Sequence, residues 1–477
     1  MLIPINEKTY YATDQIANSI AADDMFDCYL EPVPGLGFAT RRRPGLVEFA
    51  DTGNLPGDGL FYWDARGWVI AVAGGNIFRV MSDGTTVSIT GSPLSIGTPV
   101  TFADGQDTAG TPWLYMANGS MVYSIDGGVT VAPTDPNAPN ATHVAFVKST
   151  FIANEPGTNR FLFTDTNPNT LLLENDYWSS PDNPLTCEAK GDTLLALFTA
   201  WQEVYAFGSQ GLEVWQNDGV TPYAPVGGAF SEGGIEAPYS AVVADNTVFA
   251  LCNIGGSRVV VRMNGRSPVV VSEPIATVLG SMDKVSDAIG DIVSVGGLSI
   301  YLLSFPSAGQ TWAYDFKHDA WARWGHYVDG EHEQFIGQHA CFAKNWNKHL
   351  IMSRIDGKIY ELRRDVFTDD GEEMVSFRRT GWLDHGTFNR KICDQFFVKC
   401  KAGEADPAKL LVRWRDDGRE EWSPFMDLTL SPVGQRNFIS KNNRFGMYRS
   451  RQYEFRISDN ADLVLVSVDA EIRGLKS

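Results

Sequence analysis

Between about residue 43 and residue 363 the chain breaks into groups of three or four short runs in which apolar residues alternate with polar ones. The first group is Leu60 to Trp63, Trp68 to Ala73, Ile77 to Val80 and Thr86 to Ile89, with turns at Ala65-Arg66-Gly67, Gly74-Gly75-Asn76 and Asp83-Gly84. The second is Val100 to Ala103, Trp113 to Met116, Met121 to Ile125 and Val129 to Ala132, turning at Asn118-Gly119 and Asp126-Gly127-Gly128. Later groups begin near Val144, Thr193, Ser240, Ile289 and Ala340. A period of two puts alternate side chains on one face, and Gly, Asn and Asp accept the left-handed backbone that tight hairpins need. Recurrence every ~40 to 50 residues is the spacing of a four-stranded β-propeller blade. The pattern predicts six or seven blades, seven being favoured, with an irregular group over residues 142 to 184. The last group holds three clear strands. The run Leu46 to Ala50 would supply its fourth and close the ring without an exposed edge.

Two segments fall outside this repeat. Residues 1 to 44 contain a short helix candidate, Asp14 to Ala22, and a Pro/Gly-rich stretch. Residues 365 to 477 form another all-β set: Phe396 to Lys401, Leu410 to Trp414, Phe438 to Ser440, Tyr453 to Ile457 and Leu463 to Val468. The expected fold is all-β: a propeller over residues 45 to 364 and a C-terminal β-sandwich-like platform over 365 to 477, joined by the N-terminal segment. The acidic stretch Asp365 to Glu373 marks the boundary. The N-terminal 40 or so residues are expected to pack with the C-terminal domain and not with the propeller.

Acidic residues number 58 and basic ones 39, a balance of −19. Such a surface repels polyanions on average, so a chain of this charge that meets DNA would let it pass. The six cysteines are dispersed, with no CxxC, as suits folding in a reducing compartment. The N-terminus lacks a basic and then apolar leader, and no apolar run approaches the ~18 residues of a membrane span, so neither a signal peptide nor a span is expected.

Six stretches occur in order across the chain: DCYLEPV (Asp27 to Val33), RRRPGLVEFA (Arg41 to Ala50), GSQGLEVW (Gly208 to Trp215), GGIEAPYS (Gly233 to Ser240), FPSAGQTWAYD (Phe305 to Asp315) and SRQYEFRISD (Ser450 to Asp459). Together they resemble the tail hub, or nozzle, proteins of short-tailed phages, also called packaged DNA stabilisation proteins. The chain departs from that pattern at Cys28-Tyr29-Leu30-Glu31, where relatives tend to an Asn-Leu-Tyr-Pro-like start, and in the triple Arg41-Arg42-Arg43. The resemblance implies a structural protein of the virion tail, made in the host cytoplasm. It would assemble as a homo-oligomeric ring, expected to be a hexamer, below the portal and its adaptor, the head-to-tail connector. The ring would extend the DNA channel, help retain the packaged genome and dock tailspikes or fibres. A tail needle or plug would leave on infection, and DNA would pass without sequence-specific binding.

The residues that could carry chemistry do not assemble into a site. Six of the seven histidines, His318, His326, His332, His339, His349 and His385, fall within 70 residues, but without HExxH spacing or a cysteine pair. The run from Asp165 to Asp176 lacks the glycine of a calcium loop, with Thr170 in its place. Asp416-Asp417-Gly418 with Trp422 is one residue too long for a sialidase-type Asp box. Gly357-Lys358 is not a phosphate loop, and the 13 tryptophans spread over the strands as core would. No catalytic residue, cofactor or metal is expected. The alternatives are a sialidase-like or polysaccharide-degrading propeller enzyme and a monomeric receptor-binding propeller.

Two sets of charges have a better claim to function. Arg41, Arg42, Arg43, Arg444, Arg449 and Arg451 are expected at an interface with an acidic adaptor or neighbouring protomer, within a C-terminal region also basic through Arg413, Arg415, Arg436 and Lys441. Acidic loops carrying Asp329, Glu331, Glu333, Asp369, Asp370, Glu372 and Glu373 are expected to line the DNA channel.

Overall fold

The computed structural model describes residues 2–11, 23–35, 37–53, 55–170, 172–180, 182, 184–217, 223–401, 408–429, 438–443 and 445–475. The helix candidate Asp14 to Ala22 lies outside the described residues. Seven blades follow one another along the chain. Their innermost strands are Gly57–Trp63, Thr101–Gln106, Val144–Val147, Leu194–Ala200, Val242–Ala244, Ile289–Val295 and Gly337–Ala343. Each neighbours the next, and the seventh returns to the first, so the circle is closed.

Blade two has three strands, Thr101–Gln106, Pro112–Ala117 and Met121–Ser124. The run expected as its fourth, from Val129, is divided: Val129–Thr130 pairs in parallel with the outer strand Thr86–Gly91 of blade one, and Val131 bridges back to Tyr123. Blade three, where irregularity was expected, holds the strands Val144–Val147, Thr150–Asn154, Arg160–Asn167 and Leu172–Trp178, with a register shift between Thr164 and Thr166.

The apolar alternation is spent between blades. Trp63, Ile70 and Val72 of blade one meet Leu114 and Met116 of blade two, and corresponding clusters fill the other six gaps round to the seam, where Leu60 and Val69 meet Leu350 and Met352. Each interior face therefore buries its side chains against a neighbouring blade, and the driving term is loss of apolar surface from water.

The seam closes as the sequence suggests. Gly45–Asp51 pairs antiparallel with Lys358–Arg363, matching Leu46 to Leu362 and Ala50 to Ile359. At its start glycine is required by close approach, since a Cβ on Gly45 would lie 2.5 Å from the Thr368 carbonyl oxygen and 2.6 Å from that of Val366.

Beyond residue 367 the chain builds two sheets that face each other across Phe396, Val398, Leu410, Val412, Tyr453, Phe455 and Val468. One runs Cys28–Val33, Gly37–Arg42, Val464–Gly474, Lys391–Lys401, Phe438–Asn443; the other contains Ser376–Arg379, Arg451–Ile457, Lys409–Asp416 and Met426–Thr429. The N-terminal segment joins both units, which corrects the expectation that it avoids the propeller. Leu2–Ile3 and Gly37–Arg42 pair with Val464–Gly474. Asp24–Phe26 pairs with Ser376–Arg379 on one side and, at Phe26, with Arg323 of the outer strand of blade six on the other. Met25, Cys28 and Leu30 pack on Ala320 and Ala322, and the Thr9 hydroxyl donates to the Trp321 carbonyl at 2.8 Å. The physical reason is the outer edge of blade six, whose unpaired backbone groups are covered by this strand.

Candidate functional site

The triple arginine does not face outward. Gly37–Arg42 is extended, so successive side chains point to opposite faces. Arg41 is half-buried and engaged on both sides, with Glu31 at 3.0 Å and Asp462 at 2.8 Å. Arg42 is 2% exposed; it donates to Ser376 Oγ at 3.1 Å and to the Ala461 carbonyl at 3.1 Å, and burial lowers its pKa to about 10. Arg43 is wholly buried, bonded to Asp27 at 2.6 Å, to Asp369 at 2.6 Å and to the Gly325 carbonyl at 2.8 Å. Arg42 and Arg43 are thus unavailable to a partner and serve as internal fasteners. The same holds for Asp369, expected on a channel wall but 2% exposed. Burial works to raise its pKa, but Arg43 and His326 hold it below the usual carboxylate range. Burial pushes Asp27 up to about 6 against the pull of Arg43.

The C-terminal arginines divide in the same way. Arg451 is fully buried, paired with Asp416 at 2.6 Å and lying 4.0 Å over the Tyr448 ring, so it too is removed from the set of partner contacts. Arg449 is exposed and donates to the Phe388 carbonyl at 2.7 Å. Arg444 and Arg436 lie outside the described residues. Arg413 and Arg415 stack on Trp422 at 4.7 and 4.8 Å, joined there by Arg379 at 5.2 Å, and the buried Glu454 accepts from Arg379 and Arg413, each at 2.7 Å. Trp422 is therefore a stacking plate for guanidinium groups, while Asp417 accepts from the backbone N–H groups of Arg449 and Ser450 at 2.7 and 3.0 Å, as a turn residue does.

Asp329, Glu331 and Glu333 are exposed on and beside the hairpin that follows blade six. Asp370, Glu372 and Glu373 are exposed on the hairpin outside the closing strand, Asp370 being paired with Lys358 at 2.9 Å. Among the described residues no three His, Cys, Asp or Glu side chains stand together as metal ligands. The clustered histidines go separate ways: His318 to Asp315 at 2.6 Å, His385 to the Tyr448 hydroxyl at 3.1 Å, and His349 onto the Phe342 ring at 4.3 Å.

A feature that sequence reasoning missed lies on the propeller axis. The innermost strands enclose a cavity of about 450 Å³ lined by Phe61, Phe102, Phe146, Phe198 and Tyr239, with Asp104 and Asp291 as its carboxylates. Asp291, 8% exposed, accepts from the backbone N–H groups of His339 and Ala340 at 2.9 and 3.0 Å, tying blade six to blade seven. Burial lifts its pKa to about 7. His143, the histidine outside the cluster, is fully buried between Phe198 and Tyr239 at 5.5 and 5.1 Å, and burial lowers its pKa to about 4. The available signal was an aromatic residue in the first run of four successive groups.

A profile of the family described as bacteriophage P22 Gp10, β-propeller, matches residues 29–367, which takes in all seven blades and the closing strand. The chain belongs to this family. As a member of the P22 Gp10 family it is a structural protein of a phage particle, of the kind that stabilises packaged DNA. No curated protein matches the sequence. Among solved structures, the extracellular domain of a hybrid two-component system from B. thetaiotaomicron is similar at 10% identity and a TM-score of 0.42, over 90% of this chain and 59% of that one. This chain thus spans about three fifths of that structure's length, and the likeness is too low to bear on function.

Proposed function

We propose that this protein is the tail hub of a short-tailed phage. It forms a ring, hexameric by expectation, below the portal and adaptor, extends the DNA channel, helps hold the packaged genome and presents its propellers to tailspikes or fibres. A needle or plug closes the channel until infection. The observation that supports a ring is the propeller axis. Its cavity of about 450 Å³ is of small-molecule size and lined by aromatic rings. A duplex, whose major groove alone is about 12 Å wide, does not fit there. A family member that retains DNA by enclosing it must therefore build its conduit between copies of the chain. Of the charges expected to carry function, Asp329, Glu331, Glu333, Glu372, Glu373 and Arg449 are exposed, and these meet neighbours or face that conduit.

The test is the mass of the purified protein alone and with its adaptor. A ring alone, or one formed on addition of adaptor, supports the hub. A monomer under both conditions would favour the receptor-binding module instead. Hydrolysis of a polysaccharide would point to the enzyme.

A further inference from the structure

We propose that the propeller axis is a binding site for a small organic cation of the alkylammonium type. Five aromatic rings from five successive parts of the propeller, Phe61, Phe102, Phe146, Phe198 and Tyr239, line one cavity of about 450 Å³. That volume falls within the ~300 to 1,000 Å³ of ligand sites. An aromatic ring carries the negative end of its quadrupole on its face, so a cavity lined by rings favours a cation and offers nothing specific to an anion.

The charged groups agree in sign. Asp104 and Asp291 line the cavity, whereas no lysine or arginine does; burial raises the pKa of both, Asp291's to about 7, and a bound cation would favour their charged forms. Among the described residues neither carboxylate is in an ion pair. Lys344, which acts on Asp104 electrostatically, is held by Asp64 at 2.6 Å. The lining histidines add no positive charge to oppose a cation, since burial keeps the pKa of both His143 and His339 at about 4.

The site is also preorganised. Phe61 stacks on Phe102 at 5.2 Å with the ring planes 8° apart, and His143 fixes Phe198 edge-on and Tyr239 face-on. His143 itself is anchored by the Thr142 hydroxyl at 3.0 Å and the Pro238 carbonyl at 3.3 Å. Rings held in place lose little side-chain freedom on binding, which is where much affinity is otherwise spent. The cation could arrive as a free small molecule or as a lysine side chain of another protein. The chemistry of recognition is the same.

The experiment is calorimetric titration of the full-length protein with choline and with its neutral isostere 3,3-dimethylbutan-1-ol. Choline is expected to bind saturably with one site per chain, and the alcohol about tenfold more weakly or worse, a preference worth about 1.4 kcal/mol. Asp104→Asn is expected to weaken choline in a protein that still unfolds cooperatively, and Phe198→Leu to weaken it with the apolar volume largely kept. A parallel titration with N-acetyl-lysinamide separates the sources. Tighter binding of the lysine amide than of choline assigns the site to a partner's side chain, and the reverse order to a free cation. Equal binding of choline and the alcohol, or no saturable choline binding, overturns the proposal.

Discussion

Arg43 stands between Asp27 and Asp369, 2.6 Å from each, with none of the three side chains more than 1% exposed. The three residues come from the N-terminal segment, the entry to the closing strand and the hairpin outside blade seven. They fasten the propeller seam to the platform.

Removing the cation from this network leaves two buried carboxylates uncompensated. Arg43→Ala is therefore expected to cost ~3 to 5 kcal/mol, far more than an exposed arginine would. Arg43→Lys should restore only part, because an ammonium cannot bond both acids in the fork geometry. Urea unfolding of the three proteins measures this, and a loss under ~1 kcal/mol in Arg43→Ala would contradict the fastening role.

Leu46 is 1% exposed and packs with Ile351, Tyr360 and Leu362 at the seam. Leu46→Ala is expected to destabilise by ~2 to 5 kcal/mol through lost burial and the cavity left behind. Limited proteolysis should then cut first near the seam. Resistance equal to wild type would argue that closure contributes little.

Asp291 gives a pH dependence whose sign can be worked out. Its folded pKa, about 7, lies above the unfolded value of ~3.9, so the folded state holds this proton more tightly. Its contribution is whole below about pH 4 and is lost as pH rises toward 7. In Asp291→Asn the unfolding free energy should fall less steeply over that window, read from melts at half-unit pH steps. An unchanged slope would place the titration elsewhere.

Arg449 and Arg451 are two residues apart and should behave oppositely. Arg451→Ala is expected to lose ~3 to 5 kcal/mol by stranding Asp416 in a half-buried position, while Arg449→Ala should stay within ~0.5 kcal/mol. The assembled protein should bind duplex DNA weakly at physiological salt, and Arg449→Ala should change that little. Tight, steeply salt-dependent binding lost in Arg449→Ala would mean that the channel grips its DNA.

The propeller was legible because its signals are local: turns such as Gly74-Gly75-Asn76 and runs such as Trp68 to Ala73 declare blades without reference to distant sequence. The ring-closing run was legible by topology, since three strands and an exposed edge call for a fourth. The arginines were not, because their status depends on partners far along the chain. Asp369 lies 326 residues from Arg43, and an Arg-Arg-Arg string reads the same whether such a partner exists or not. Trp422 was legible only as a poor Asp box, since the three guanidinium groups that use it come from two separate strands, Ser376–Arg379 and Lys409–Asp416. The axial ring of phenylalanines was visible in the repeat but had no meaning until closure brought the first strands together.

Among the described residues, the segments 2–11 and 23–43 and the platform reach the propeller through blades six and seven and the short helical turns before blade six. Examples are Thr9 to Trp321, Arg43 to Gly325 and Asp370 to Lys358. These contacts gather on blades six and seven and on the closing strand. Among the described residues the propeller is in effect a cantilever, clamped to the platform along one side of its rim. Any load applied at blades three or four acts with the full diameter as its lever arm and is resisted at the clamp, so small displacements of the far rim become torque on the buried Asp27, Arg43 and Asp369.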